Sequence, residues 1–124
     1  MTEKSHLPPI LVAVAGGPAA RLGITAPQQA GDLELDVIQW AVHRAGTPVE
    51  LSPTEFRLLT YLISNQGRTL SREQILQNVW GEDQARQPQI VDTYISYLRR
   101  KLDPLGPPLI HTERGSGYML CAAS

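Results

Sequence analysis

The sequence predicts an α+β fold with an N-terminal antiparallel sheet, a three-helix core and a C-terminal β-hairpin. Apolar residues alternate with period two over residues 31–51, and capping signals followed by helical apolar periods run over residues 52–102. Near the end of the chain, a glycine-rich turn separates two short apolar runs. The length of 124 residues fits one domain with a short appendage.

Residues 1–30 differ in composition and in hydrophobic pattern from the rest of the chain. They hold four of the ten prolines and show no amphipathic period longer than one short strand. We therefore expect a linker or tail over residues 1–30 and the globular domain over residues 31–124. The alternative is that the apolar run from Pro9 to Val14 is a strand of a larger upstream domain, an interpretation that depends on six residues.

The alternation over residues 31–51 predicts a small antiparallel meander of three strands. Ala45 and Gly46 mark a turn, and the third strand is expected over residues 47–51. Acidic side chains at positions 32, 34 and 36 fall on the outer face, where we expect them to be solvated. The residues expected on the buried face are Leu33, Leu35, Ile38, Trp40 and Val42.

Two consecutive helices are predicted by complete capping signals. Ser52 and Glu55 can form one capping box, and Ser71 and Gln74 can form a second. A glycine follows each apolar stripe and provides a natural stop, at Gly67 and at Gly81. The side chains expected to be buried are Phe56, Leu59, Leu62 and Ile63 in the first helix and Ile75, Leu76, Val79 and Trp80 in the second.

A third helix is expected from Pro88 to about Leu102, and it has two contrasting sides. At about 100° per residue, one narrow arc collects the ridge Val91, Ile95, Leu98 and Leu102, which should face the core. The opposite side carries no large aliphatic group. Strands over residues 109–112 and 118–121, joined by the glycine-rich residues 113–117, complete the fold as a hairpin.

The formal net charge of −1 does not by itself indicate a protein that binds polyanions. The charges are nevertheless segregated along the chain. Residues 84–124 carry five basic and three acidic side chains, whereas the first fifty residues carry three basic and five acidic ones. A basic surface would therefore lie in the C-terminal part of the domain.

This order of strands, three helices and hairpin is that of a winged helix-turn-helix, which presents its third helix to the major groove and its hairpin as a wing. Residues from about 31 to 120 resemble the DNA-binding effector domain of OmpR/PhoB-type response regulators. Four segments resemble the signature segments of this family, in the same order and at the expected separations. Together they are a specific indication of the family, although each segment alone would be a weak one. The matching segments are Leu51–Leu59, Ser71–Leu76 with Val79–Gly81, Val91–Asp92 with Ile95–Ser96 and Leu98–Leu102, and Arg114–Tyr118.

The resemblance implies sequence-specific binding of double-stranded DNA for transcription regulation, commonly head-to-tail on direct repeats, and it implies no cofactor. An arginine beside glycines on a hairpin tip can enter a narrow minor groove with little obstruction, which independently favours Arg114. The DNA-binding residues carried over are Gln89, Asp92, Thr93, Ser96, Tyr97, Arg100 and Arg114. The resemblance also implies that the loop between the second and third helices can contact RNA polymerase, with Glu82, Asp83, Gln84 and Arg86 as its candidate residues.

The third helix departs from the family pattern at three positions. The family often has arginine at position 89, histidine at position 94 and arginine at position 97, where this chain has Gln89, Tyr94 and Tyr97. Fewer cations predict a lower DNA affinity or a different base preference. The alternative function, from a different class, is a winged-helix protein–protein interaction module that has lost DNA readout.

Other function classes receive no support from the sequence. It holds no nucleophile motif and no phosphate-binding glycine loop, so we expect no enzyme. His6, His43, His111 and Cys121 lack metal-ligand spacing. A single cysteine favours a reducing compartment, and we expect a cytoplasmic protein with no membrane partner.

The segment before residue 31 is too short for the receiver domain of a response regulator, which needs its own doubly wound sheet. Two interpretations stay open at this point. The chain is the effector part of a longer regulator, or it binds DNA without a phosphorylation switch.

Overall fold

The structure, a computed structural model, describes residues 27–81 and 87–122 and confirms the predicted fold class. A four-stranded antiparallel sheet, with its strands in sequence order, consists of β1 (Gln28–Ala30), β2 (Leu33–Asp36), β3 (Ala41–Arg44) and β4 (Thr47–Pro48). The helices are α1 (Pro53–Ser64), α2 (Arg72–Ile75) with its π-helical continuation Leu76–Trp80, and α3 (Gln89–Leu102), which ends in the 3-10 turn Asp103–Leu105. The antiparallel hairpin of β5 (Ile110–Glu113) and β6 (Gly117–Leu120) forms the wing.

The sheet begins earlier than the sequence predicted. β1 pairs antiparallel with β2 and buries Ala30, so the boundary expected between residues 30 and 31 was three residues too late. A three-residue strand with one buried apolar side chain leaves too short a pattern to show a period. The remainder of the expected linker, including the Pro9–Val14 run, lies outside the described residues.

The second predicted strand was also wrong in its start and in one buried residue. The chain turns at residues 37–40, because the Asp36 carboxylate accepts hydrogen bonds from the backbone N–H groups of Ile38 at 3.0 Å and Gln39 at 3.2 Å. Ile38 is consequently 61% exposed, and the following strand starts only at residue 41. The third strand is likewise reduced from the expected residues 47–51 to the two residues of β4.

Arg44 at the end of β3 connects the sheet to the far end of α3. Its guanidinium is fully buried and donates from Nε to Asp32 Oδ1 at 2.8 Å, from Nη1 to the Leu102 carbonyl at 3.0 Å, and from Nη2 to the Pro107 carbonyl. A buried cation requires such partners. Asp32 therefore has a structural role, whereas the sequence predicted a solvated edge charge.

Both predicted capping boxes are present, and each fixes the start of a helix. Ser52 and Glu55 exchange side-chain and backbone hydrogen bonds at α1, and Ser71 and Gln74 do the same at α2. The predicted stripe of α1 is buried. In the second helix the three aliphatic residues are buried and Trp80 is half-buried.

The wing is anchored by a short bridge to the segment between α1 and α2. Leu70 exchanges both backbone hydrogen bonds with Tyr118, at 2.8 and 2.9 Å. This close approach excludes a side chain at Gly117, whose φ is +141° and whose Cβ would lie 1.9 Å from the Leu70 carbonyl oxygen. Glycine at this position is therefore a requirement of the backbone packing.

We predict that Gly117→Ala lowers the free energy of unfolding by about 2 to 5 kcal/mol, because it adds a steric clash to the cost of a positive φ. Gly115→Ala is the matched control, since Gly115 also has a positive φ, +79°, but its Cβ would meet nothing within 4 Å. Urea denaturation of both variants measures the difference. Equal losses would contradict the steric argument.

A second prediction concerns the buried ridge of α3. Leu98→Ala should lower the free energy of unfolding by about 2 to 5 kcal/mol, because Leu98 is fully buried and its loss leaves a cavity. Ile38→Ala should change it by only about 0.5 kcal/mol, since Ile38 is largely exposed. Thermal or urea melts of the two variants test this contrast, which would fail if both melted like the wild type.

Candidate nucleic-acid interface

The third helix divides into a buried side and an exposed side, as the sequence predicted. Its ridge is at most 1% exposed and consists of Val91, Ile95, Leu98 and Leu102. Five of the seven predicted DNA-binding side chains are exposed on the helix: Gln89, Thr93, Ser96, Tyr97 and Arg100. The structure thus brings these five to solvent on the side of α3 away from the core.

Asp92 differs from the other predicted residues because its carboxylate is engaged within the protein. Asp92 Oδ1 accepts a 2.6 Å hydrogen bond from the Tyr118 hydroxyl and lies 3.2 Å from Arg72 Nε. One carboxylate therefore joins the start of α2, the first turn of α3 and the second strand of the wing. The carboxylate thus helps to hold the wing against α2 and α3.

The surroundings of Tyr118 favour its neutral phenol. Burial of the ring, the hydrogen bond to Asp92 and the charge of Asp92 raise the pKa of Tyr118 to about 12. The Arg99 guanidinium lies 5.7 Å from the centre of the same ring. The phenol thus remains a hydrogen-bond donor at neutral pH.

The three consecutive cations at the end of α3 have different roles. Arg99 donates to the Ile110 carbonyl at 2.9 Å and to Thr112 Oγ1 at 2.8 Å, which ties the helix to β5. Lys101 Nζ lies 2.6 Å from Oε1 of Glu55, a residue that is 5% exposed. Arg100 is exposed and forms no ion pair with any described residue. Of the three, only Arg100 forms no side-chain hydrogen bond or ion pair with a described residue.

Arg114 is exposed at the wing tip, beside the left-handed Gly115. An open groove of about 440 Å³ separates this tip from the start of α2. Cationic and hydroxyl groups line it, from Arg72, Arg114, Thr112, Ser116 and Tyr118, together with two carboxylates, from Glu73 and Glu113. The groove is therefore polar and open to solvent.

The sequence analysis did not predict that Arg72 pairs with Asp92 and lines this groove. A signal was present, since Arg72 directly follows the capping Ser71 in one of the segments that resemble the family. The predicted polymerase-contacting residues Glu82, Asp83, Gln84 and Arg86 lie outside the described residues.

Over residues 27–81 and 87–122, no group of three or more His, Cys, Asp or Glu side chains is arranged to hold a metal ion. No helix in those ranges is long and apolar enough to cross a membrane.

We predict that the stabilising effect of the Tyr118 hydroxyl depends on pH. Because its pKa is raised on folding, the contribution is complete below the ordinary value of 10.0 and is lost as pH rises toward about 12. At pH 8, Tyr118→Phe should lower the free energy of unfolding by about 1.5 to 3 kcal/mol, the scale of a hydrogen bond to a charged group.

The measurement is urea denaturation of wild type and Tyr118→Phe between pH 8 and 11.5. Subtracting one from the other removes the titration of other groups, including Tyr61, whose pKa is also raised by burial. The gap between the two proteins should close with rising pH. A gap that stayed constant would contradict the assigned hydrogen bond.

Comparison with known proteins identifies relatives of this chain. Residues 46–120 match the family described as "Transcriptional regulatory protein, C terminal". The transcriptional regulatory protein TrcR of Mycobacterium tuberculosis is 56% identical over 90 residues, which cover 73% of this chain and 35% of TrcR. The phosphate regulon regulatory protein PhoB of Rhizobium meliloti is 46% identical over 91 residues, 73% of this chain and 40% of PhoB.

A solved structure extends the likeness to the whole fold. The DNA-binding domain of Klebsiella pneumoniae RstA, crystallised in complex with the RstA box, superposes with a TM-score of 0.68 at 31% identity, over 77% of this chain and 96% of that domain. The chain spans little more than a third of the length of its curated relatives. By sequence and by fold, it belongs to the family of C-terminal effector domains found in OmpR/PhoB-type transcriptional regulatory proteins.

Proposed function

We propose that this chain binds double-stranded DNA sequence-specifically and regulates transcription as the effector domain of a two-component response regulator. The observation that carries the proposal is the exposed polar side of α3, together with an exposed arginine at the wing tip. A major groove is wide enough to admit such a helix. The RstA DNA-binding domain, which was solved in complex with the RstA box, supports DNA binding by this chain.

In this mode some exposed residues of α3 contact base edges and others contact the DNA backbone. The amide of Gln89 and the hydroxyl of Ser96 offer donors and acceptors to base edges, and Arg100 pairs with a backbone phosphate. Thr93 Oγ1 donates to the Gln89 carbonyl at 3.3 Å and keeps its acceptor capacity toward the groove. Arg114 enters the adjacent minor groove, whose negative potential attracts a guanidinium.

The contacts of Asp92 support the proposal indirectly. A wing and a helix that read two grooves of one duplex must keep a fixed angle, and the Asp92 carboxylate joins both elements. Arg72, half-exposed beside it, lines the groove between wing and α2 and adds a cation on the same side as Arg114.

The proposal includes the arrangement of two copies on DNA and a contact with RNA polymerase. Two copies bind head-to-tail on direct repeats, and the loop with Glu82, Asp83, Gln84 and Arg86 contacts RNA polymerase in the cytoplasm. Replacing Glu82 and Asp83 with alanine should lower transcription from a regulated promoter without changing the affinity for its DNA. The stoichiometry on duplexes with one and two copies of the site tests the head-to-tail arrangement.

We predict that Arg114→Ala weakens DNA binding by about 1 to 3 kcal/mol and leaves the fold intact. Arg68→Ala is the matched control. This variant removes the same charge from another exposed position. Arg68 lies near the base of the hairpin, as shown by the hydrogen bond from the N–H of neighbouring Gly67 to the Leu120 carbonyl. Titration of duplex DNA measures both variants. Unchanged binding by a folded Arg114→Ala protein would contradict the wing assignment.

We predict opposite effects for two adjacent arginines. Arg100→Ala should weaken binding of all duplexes alike, reduce the slope of log affinity against log salt by about 1, and leave thermal stability unchanged. Arg99→Ala should instead lower thermal stability, because it removes the contacts to β5. DNA titrations at several salt concentrations, together with melting curves, separate the two. Wild-type protein that bound no duplex even at low salt would favour the protein-interaction module.

A further inference from the structure

Three aromatic rings form a continuous row from the second helix to the exposed side of α3. Trp80 and Tyr94 pack edge-to-face, with centroids 5.4 Å apart and planes at 70°. Tyr94 and Tyr97 repeat this geometry at 5.1 Å and 69°. The first two rings are half-buried against the core, whereas Tyr97 is 39% exposed.

The row favours one orientation of the outermost ring. Residues 94 and 97 are three apart on a helix and therefore neighbours on its surface. Edge-to-face packing is a preferred arrangement of aromatic pairs, and the inner ring of the row is fixed by the core. This packing restricts the Tyr97 ring before any partner arrives, so that binding has less side-chain freedom to remove.

An exposed aromatic ring suits a different base from the arginine expected at this position. Arginine pairs bidentately with the acceptor atoms of guanine, which a phenol cannot do. The apolar group that the major groove offers is the C5-methyl of thymine, and apolar side chains contact it. In the described ranges, Tyr97 is also the only large apolar side chain exposed on α3, because the other exposed one, Ile38, lies in the turn between β2 and β3.

Resting on the DNA-binding function proposed above, we propose that Tyr97 selects thymine by contact of its ring with the C5-methyl group. Trp80 and Tyr94 are positioning residues for that contact. The base preference of this chain accordingly lies toward thymine at the step where an arginine in this position could pair with guanine.

The experiment starts with sites selected by the wild-type chain from random duplexes. Each thymine of the selected site is then replaced singly by deoxyuridine, which removes only the methyl group. One position per half-site should lose about fourfold in affinity, the fold-change that corresponds to about 0.8 kcal/mol for one buried carbon group.

Variants identify the residue that reads the methyl group. In Tyr97→Ala the deoxyuridine penalty at that position should disappear, whereas in Tyr97→Phe it should persist, because the ring is retained. A penalty that survived in Tyr97→Ala would overturn the proposal. So would loss of affinity in Tyr97→Phe with no deoxyuridine effect, since this pattern indicates a hydroxyl contact to phosphate.

The positioning role is tested at Tyr94, with urea denaturation confirming that each variant folds. Tyr94→Leu should shrink the deoxyuridine penalty, and Tyr94→Phe should restore it, a readout that loss of stability alone would not produce. An unchanged penalty in Tyr94→Leu would overturn the positioning role. If the wild type selects no sequence, the proposed function fails and this inference with it. If it selects a site at which every deoxyuridine is tolerated, only this inference fails.

Discussion

Four aliphatic side chains of α3, three or four residues apart, are withdrawn from water, and this burial fixes the rotation of the helix about its axis. With the rotation fixed, the sequence itself decides which residues face outward. The outer side could be polar and variable because the inner side supplies the packing. The exposure of the outward-facing residues, from Gln89 to Arg100, depends on this division of the helix into a buried and an exposed side.

Burial sets the rotation of α3, and polar contacts set its position. Asp92 holds the first turn to the wing and α2, while Arg99 and Lys101 hold the last turns to β5 and α1. Charges that look alike in the sequence therefore separate into structural and available groups. Lys101 is paired with the Glu55 carboxylate, so the electrostatic attraction of this helix to an anion is weaker than its composition suggests. Arg99 keeps its charge, because its partners are a carbonyl and a hydroxyl, but its donors are directed at β5.

The sequence predicted the helices and their buried faces well, because capping boxes and aliphatic ridges are local signals repeated over several turns. The sheet was predicted less well. β1 spans only three residues. Where the alternation suggested a strand, the Asp36 carboxylate accepts hydrogen bonds from the backbone N–H groups of Ile38 and Gln39 and the chain turns. The exposure of the candidate DNA-binding residues on α3 followed from the same helical period. The partners of Asp92 did not, since they come from two elements distant in sequence.

The buried guanidinium of Arg44 bears on how much of the chain is needed for an autonomous unit. The family match begins at residue 46, yet strands β1–β3 and Arg44 precede it. A fragment trimmed to the matched residues would leave the Leu102 and Pro107 carbonyls without their donor and would uncover α1. The smallest portion able to fold independently thus starts upstream of the segment by which relatives are recognised.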